Sequence, residues 1–396
     1  MSFVSELPGR SFIPSWEPFW DKRSGKATVQ VVFQDLKRHN LTLRDKLQGC
    51  LNRVLESGWY LCGEELTAFE QAFARFLGVS HCVGVGNGTD ALELALRCLD
   101  VRAGDRVATV ANAGMYATTA ILNVGAQPVY VDVDRTALTM CPESLERSLM
   151  PGTKAVIVTH LYGRAAALDE ILEVARRAGL YVIEDCAQAH GARLRGKCVG
   201  AWGTVGCFSF YPTKNLGALG DGGAIVTSEA ELADKLRCLR QYGWRTKYHA
   251  EIRGGRNSRL DELQAAVLRT KLTHLECWNA RRRAIARSYS QALSGLSLIV
   301  PDVPEESYVA HLYILRCLRR DALREALARC GVMTDVHFPV PDYRQRSVCQ
   351  VLDRSWQLPV TEESCDTVVS LPCYPELSDQ EIKHVIGAVR AALQGS

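Results

Sequence analysis

Short apolar runs alternate with amphipathic segments between residues 81 and 227, and that alternation constrains the fold more than any other feature of the chain. Residues 81–85, 106–110, 128–133, 155–159, 181–184, 205–210 and 223–227 read as strands, most of them rich in Val. Residues 90–99, 116–124 and 168–178 read as helices with an apolar face. Strands and helices interleaved in this way predict an α/β domain whose largely parallel sheet is covered on both faces. Upstream, Leu43, Leu47, Leu51, Val54 and Leu55 fall on one helical face. From Glu229 the chain turns helical, most clearly over 260–272 and 279–293. After Gly295 the pattern is mixed, with a strand over 308–316 and helices over 321–330 and 379–392, which predicts a smaller α+β domain. Three regions follow: an N-terminal extension (1–28), a large domain (29–275) and a small C-terminal domain (276–396). The extension mixes Pro8, Pro14 and Pro18 with Phe12, Trp16, Phe19 and Trp20. The prolines argue against a long helix, and the aromatics suggest docking on another surface, such as a partner subunit.

Composition removes several classes of function. The chain has 396 residues, with 47 basic and 44 acidic side chains and a net charge of +3, so there is no electrostatic case for nucleic acid. The longest uncharged stretch, 107–131, is interrupted by Asn112, Gly114, Thr118, Asn123, Gln127 and Pro128. A spanning helix needs about 20 mainly apolar residues, so no membrane span is expected. MSFVSELPGRSF lacks the basic start and apolar core of a secretory signal. The 15 cysteines are scattered, without a C-x-x-C pair, and the nine histidines lack metal-binding spacing. A reduced, cytoplasmic protein that buries Cys as a small apolar side chain is the expectation, with no metal.

Four segments can carry chemistry. Gly84-Val85-Gly86-Asn87-Gly88-Thr89-Asp90 lies between a strand and a helix. Glycines there allow close backbone approach, and the free N–H groups of a helix start attract an anion. Asp90 and Glu93 resemble a capping box. The spacing is not the G-x-G-x-x-G of a dinucleotide site. Glu184-Asp185-Cys186-Ala187-Gln188 follows a strand, and a carboxylate at the C-terminal end of a parallel strand sits where open α/β sheets bind ligands. Asp185 could equally be a helix cap or a charge paired with an arginine. His190, nearby, reads as a hydrogen-bonded structural residue. Ser209-Phe210-Tyr211-Pro212-Thr213-Lys214 places one lysine among aromatic and glycine residues. Desolvation there would lower its pKa and free the amine to attack a carbonyl. Gly255-Arg256-Asn257-Ser258 reads as a polar loop entering a helix. Each segment alone also fits an ordinary turn, cap or surface loop. Together, and in this order, they fit pyridoxal phosphate. That cofactor needs a lysine, an acidic partner for its ring nitrogen and a cradle for its phosphate.

With those residues in hand, the chain resembles the DegT/DnrJ/StrS sugar aminotransferases, which have the aspartate aminotransferase fold. The matching stretches are GNGTDALELAL, EDCAQAHGA, FSFYPTKNLGALGDGGAIVT and NSRLDELQAAVL, with SGWYLCGEELTAFEQAFARFLGV upstream and GVMTDVHFPVPDY downstream. The resemblance covers nearly everything after residue 30. It implies that Lys214 carries the cofactor covalently, that Asp185 pairs with the pyridine nitrogen and that Gln188 bonds the ring hydroxyl. It implies that Gly88, Thr89 and Ser209 hold the phosphate, and that Asn257 reaches the phosphate of a partner subunit, making a homodimer with a shared site. The segment Ala111–Thr118 departs from the commoner family pattern, with Met115 where an aromatic is usual; Tyr116 is the candidate for stacking on the ring.

The implied reaction is ping-pong transamination. L-Glutamate gives its amino group, 2-oxoglutarate leaves, and pyridoxamine phosphate passes the group to a nucleotide-linked keto sugar. Such sugars feed lipopolysaccharide or antibiotic glycosylation. Arg245, Lys247, His249, Arg253 and Arg256 are candidates to meet the sugar's diphosphate. Two alternatives lie on the same fold. In the sugar dehydratase branch a histidine replaces the lysine, so Lys214 counts against it. A non-catalytic regulator would have no need of Lys214, Asp185 and Gln188. A nicotinamide-dependent dehydrogenase lacks its glycine pattern here.

Overall fold

The computed structural model describes residues 30–350 and 356–394. The 1–28 extension lies outside them. Seven strands form the central sheet: β1 (His81–Val85), β2 (Arg106–Val110), β3 (Gln127–Val131), β4 (Thr153–Thr159), β5 (Tyr181–Asp185), β6 (Val205–Ser209) and β7 (Gly223–Thr227). Their order is β1-β7-β6-β5-β4-β2-β3. Only β7 runs against the rest, pairing antiparallel with both β1 and β6. The expected boundaries shift by one or two residues. Strand β3 stops at Val131 and β6 at Ser209, where the chain leaves the ladder toward the site.

Both faces of the sheet are buried, as the runs of apolar residues predicted. Alternate residues enter different cores: Ala108, Val156, Val158, Val182, Phe208 and Val226 face one, while Val107, Ala155, Ile157, Ile183, Cys207 and Ile225 face the other. The period-2 pleat imposes this division. Helix Leu168–Ala178 illustrates how one face is covered. It buries Leu168, Ile171, Val174 and Ala175, then stops at Gly179, whose φ of 66° supplies the left-handed cap.

A third core gathers Ile285, Tyr289, Tyr313, Leu315, Leu327, Val369, Val385 and Val389, and Val31 joins it from the start of the described chain. Strands Tyr313–Arg316 and Val368–Leu371 pair antiparallel at its centre. The expected strand over 308–316 begins only at Tyr313, because residues 308–312 wrap around the main body; Val309 N–H and Leu312 N–H donate to the carbonyls of Gly163 and Tyr162. Helix Leu275–Leu293 spans the two bodies, with Leu275 in the first core and Ile285, Tyr289 and Leu293 in the third. Among the described residues, no helix is long and apolar enough to cross a membrane.

Candidate active site

Strands β1, β5 and β6 end at one edge of the sheet, and that edge collects the expected residues. Gly223 pairs with Val85 on one side and Ser209 on the other, which brings the chain after β1 against the end of β6. A Cβ built on Gly88 would lie 2.6 Å from the Cβ of Ser209. Helix Gly88–Cys98 starts there, capped by the Asn87 side chain, which accepts the Asp90 N–H at 2.8 Å. Asn87 therefore does the capping expected of Asp90 and Glu93. The N–H groups of Gly88 and Thr89 lie in the first turn, where a helix offers no internal acceptor.

Asp185 ends β5, in register with Thr159 and Cys207 on the flanking strands, and is 6% exposed. One carboxylate oxygen accepts the Ala187 N–H at 3.1 Å. Burial raises its pKa, while the Ala187 N–H and the Lys214 charge act in the opposite direction. Next to it, Glu184 is fully buried. Its oxygens accept the N–H groups of Gly200, Trp202 and Gly203, each at 2.7 Å, and face His160 Nε2 at 3.0 Å. His160 Nδ1 accepts the Ala166 N–H, so Nε2 carries the proton. His160, Glu184 and Cys186 lie close enough to suggest a metal site, but the carboxylate and imidazole are already engaged.

Lys214 sits on a loop fixed from several directions. Its N–H donates to the Tyr211 carbonyl at 2.8 Å. The Thr213 carbonyl accepts from Gln34, and the Gly217 carbonyl from the buried Lys271. Asn215 donates to Asn279 Oδ1 at 2.8 Å and to the Val309 carbonyl at 3.1 Å, while its own Oδ1 faces His311 Nδ1 at 3.0 Å. Lys214 keeps partial exposure, yet its amine is enclosed, and desolvation lowers its pKa to about 8 against the opposing pull of Asp185.

Gln188 is buried, and its Oε1 accepts the Tyr162 N–H at 2.6 Å. The amide nitrogen is therefore the end left for a ligand. Tyr116 opens helix Tyr116–Asn123 and is half exposed. Burial and the nearby Asp185 carboxylate raise its hydroxyl pKa. His190 lies between Phe208 and Phe210. Burial and the Lys214 charge oppose its charged form, while a backbone contact from Ser209 favours it. Packing holds it, and burial drives its pKa down to about 3.

Asn257 is exposed, and its strand-like pairing is with Gln241. Of the basic candidates nearby, Arg256 is occupied: it binds Glu93 at 2.7 Å and Asp90 at 3.2 Å. Arg245 pairs with Glu251 at 3.0 Å, and Lys247 lies over the Tyr248 ring. Asn215, Asn279, Gln34, Lys271 and Asp342 were not singled out from the sequence. Their partners lie far away along the chain, so no local signal marks them.

The donor set fits pyridoxal phosphate. The Gly88–Ser209 contact leaves no room for a side chain at 88, so only glycine lets the helix start approach the end of β6 this closely. An amine with a lowered pKa and a buried carboxylate lie within electrostatic reach of each other at the same sheet edge.

Comparison with known proteins points the same way. A transaminase of Streptomyces venezuelae named for dTDP-3-amino-3,4,6-trideoxy-alpha-D-glucose is 45% identical over 365 residues, covering 92% of this chain and 96% of that one. The erythromycin biosynthesis sensory transduction protein EryC1 of Saccharopolyspora erythraea is 44% identical over 365 residues, covering 92% of this chain and all of the other. The crystal structure of S. venezuelae DesV with a ketimine intermediate superposes with a TM-score of 0.89 at 44% identity, covering 92% of this chain and 98% of that one. The DegT/DnrJ/EryC1/StrS family model matches residues 42–390. With the family model, the relatives and the superposed structure in agreement, the chain belongs to the DegT/DnrJ/EryC1/StrS aminotransferase family.

Proposed function

We propose that this protein uses pyridoxal phosphate to move an amino group from L-glutamate to a nucleotide-linked keto sugar. The observation that carries the proposal is the juxtaposition of an amine with a pKa near 8, a buried carboxylate and a close glycine–serine contact at a helix start, all at one sheet edge. The transaminase name of the Streptomyces relative supports the substrate class and favours amination at C3.

Gly88, Thr89 and Ser209 hold the phosphate through N–H and hydroxyl groups. Asp185 would keep the ring nitrogen charged, Gln188 would donate to the ring hydroxyl, Tyr116 would cover the ring and Lys214 would carry the covalent link. When bound, the cofactor supplies an electron sink for the charge left by removal of a proton from carbon. With its pKa lowered to about 8, a fraction of Lys214 is free amine near neutral pH; that amine takes the proton from the α carbon of glutamate and later delivers one to the sugar carbon. The enclosed loop around Lys214 excludes water, which strengthens its interaction with Asp185.

A second copy of the chain completes the site with Asn257. Support comes from exposed apolar side chains, Trp59, Tyr60 and Leu61, that adjoin Asn257: Cys62 donates to Gln241, which pairs with Asn257. Exposed apolar clusters of this kind mark interfaces. EryC1's name raises a regulatory reading. Lys214, Asp185 and Gln188 are all present here, and a purely regulatory protein would need none of them. A cytoplasmic location agrees with fifteen free cysteines.

The test is direct. The holoprotein should absorb near the visible edge, and glutamate should bleach the band. A panel of keto-sugar nucleotides should then release 2-oxoglutarate continuously. Borohydride reduction and peptide mapping should tag Lys214; a tag on another lysine would overturn the assignment.

A further inference from the structure

Asp342 comes from the C-terminal third of the chain and is buried against the start of helix Tyr116–Asn123. One carboxylate oxygen accepts the Met115 N–H at 3.0 Å, and the other meets the Thr118 hydroxyl at 2.6 Å. Its own N–H donates to the Ala111 carbonyl at 2.8 Å. These contacts bracket Tyr116 on both sides. Met115 sits at φ 74° and Gly114 at φ 77°, so two successive left-handed residues turn the chain just before the tyrosine. For Met115 that conformation costs about 1–2 kcal/mol and persists only where the surroundings enforce it. From 227 residues away along the chain, Asp342 takes up the N–H of the N-cap residue Met115, one of the four that a helix start leaves without an internal acceptor. The same C-terminal segment supplies Phe338. Its ring lies 6.1 Å from that of Tyr116, edge to face, and would collide with a Cβ at position 114.

We propose that Asp342 is a positioning residue, clamping the Gly114–Thr118 turn so that the Tyr116 ring is held where it covers the cofactor. The proposal rests on the reading that this cleft holds pyridoxal phosphate. Burial raises the Asp342 carboxyl to about 7, and the clamp tolerates either charge state. Ionised, Asp342 accepts from both Met115 and Thr118. Protonated, it donates to the Thr118 oxygen and still accepts from Met115. Tyr130, whose hydroxyl lies 3.2 Å from Thr118 Oγ1, can take either complementary role. An asparagine would make the same two contacts, which separates shape from charge.

The experiment titrates cofactor-free protein with pyridoxal phosphate and reads binding from absorbance and tryptophan quenching. Tyr116→Ala should weaken binding about tenfold, the scale of one lost aromatic contact. Asp342→Ala should weaken it by a similar factor, and the double variant should be no weaker than Tyr116→Ala alone. Asp342→Asn should stay within about twofold of the parent, because it restores both hydrogen bonds. Thr118→Val cuts one contact with little change of volume. It serves if Asp342→Ala does not fold, and its loss of affinity should vanish in the Tyr116→Ala background. Losses that multiply in the double variant, or parent-like binding by Asp342→Ala, would overturn the positioning role. A chain that takes up no pyridoxal phosphate at all defeats the functional reading instead, and parent-like binding by Tyr116→Ala removes the tyrosine's role and with it this proposal.

Discussion

Gly88 and Ser209 stand so close that a single added carbon on the glycine would reach within 2.6 Å of the serine Cβ and 3.2 Å of its hydroxyl. Gly88 begins a helix, where alanine is ordinarily the better residue by about 0.5–1 kcal/mol. That gain does not offset a clash with Ser209 Cβ and Cα, which only a backbone shift relieves, so Gly88→Ala should lower stability by about 1–3 kcal/mol and distort the end of β6 beside the phosphate site. The expected outcome is at least tenfold weaker binding of pyridoxal phosphate, measured by titration of cofactor-free protein. Binding of pyridoxal, which lacks the phosphate, should change much less.

The Lys214 amine should titrate near pH 8 rather than at its ordinary 10.5. Burial penalises the charged form, so the cost to folding is fully present below about pH 8 and is relieved as pH rises from there toward 10.5. Two consequences can be measured. The rate at which cofactor-free protein takes up pyridoxal phosphate should climb with a midpoint near pH 8. Lys214→Met should be more stable than the parent below that pH, with the difference shrinking above it. Asp185 pulls the lysine's pKa upward, so Asp185→Asn should move the midpoint of uptake lower. A midpoint above 10 would show that the amine is solvated.

Glu184 gathers four donors on one buried carboxylate: three backbone N–H groups from 200–203 and the His160 ring. Glu184→Ala leaves them all without an acceptor. A loss of about 3 kcal/mol or more is expected, as for other broken buried networks. Glu184→Gln should also destabilise, since its NH2 end faces donors whichever way it is turned. Chemical denaturation of the cofactor-free chain measures both, and a parent-like midpoint for Glu184→Gln would contradict the hydrogen-bond assignment.

The strands of the central sheet are legible because each is a short, often Val-rich apolar run closed by a turn; burial of both faces removes the alternation, so length and the flanking turns carry the signal. Lys214, Asp185, Gln188 and Ser209 are legible for a related reason: they follow directly on strand ends, where position along the chain fixes position in space. Helix Glu64–Leu77 carries the same kind of signal in Leu66, Phe69, Phe73 and Leu77. What stays hidden depends on pairing across the chain. Arg256 reads as a free cation until Asp90 and Glu93 are seen to hold it. Asp342 reads as a loop residue between Pro341 and Tyr343 until it meets Met115. His190 shows the opposite case, where burial, helped by the Lys214 charge, outweighs a backbone contact from Ser209 and decides its state.

Asn257 offers a test of whether two chains build one site. Its side chain is exposed, and it adjoins the apolar run Trp59-Tyr60-Leu61 through Gln241. If Asn257 serves the partner's phosphate, then Asn257→Ala and Lys214→Ala damage different halves of each site. Homodimers of Lys214→Ala should be inactive, and those of Asn257→Ala should be weak because the cofactor is poorly held. In a mixed dimer, one site carries both defects and the other carries neither. Equal mixing after subunit exchange should therefore place about half the chains in mixed dimers, each with one intact site, and restore roughly a quarter of the parent's transamination. The measurement is 2-oxoglutarate release, with exchange verified by mass spectrometry of differently tagged chains. Verified mixed dimers that stay inactive would mean that Asn257 and Lys214 act within the same chain.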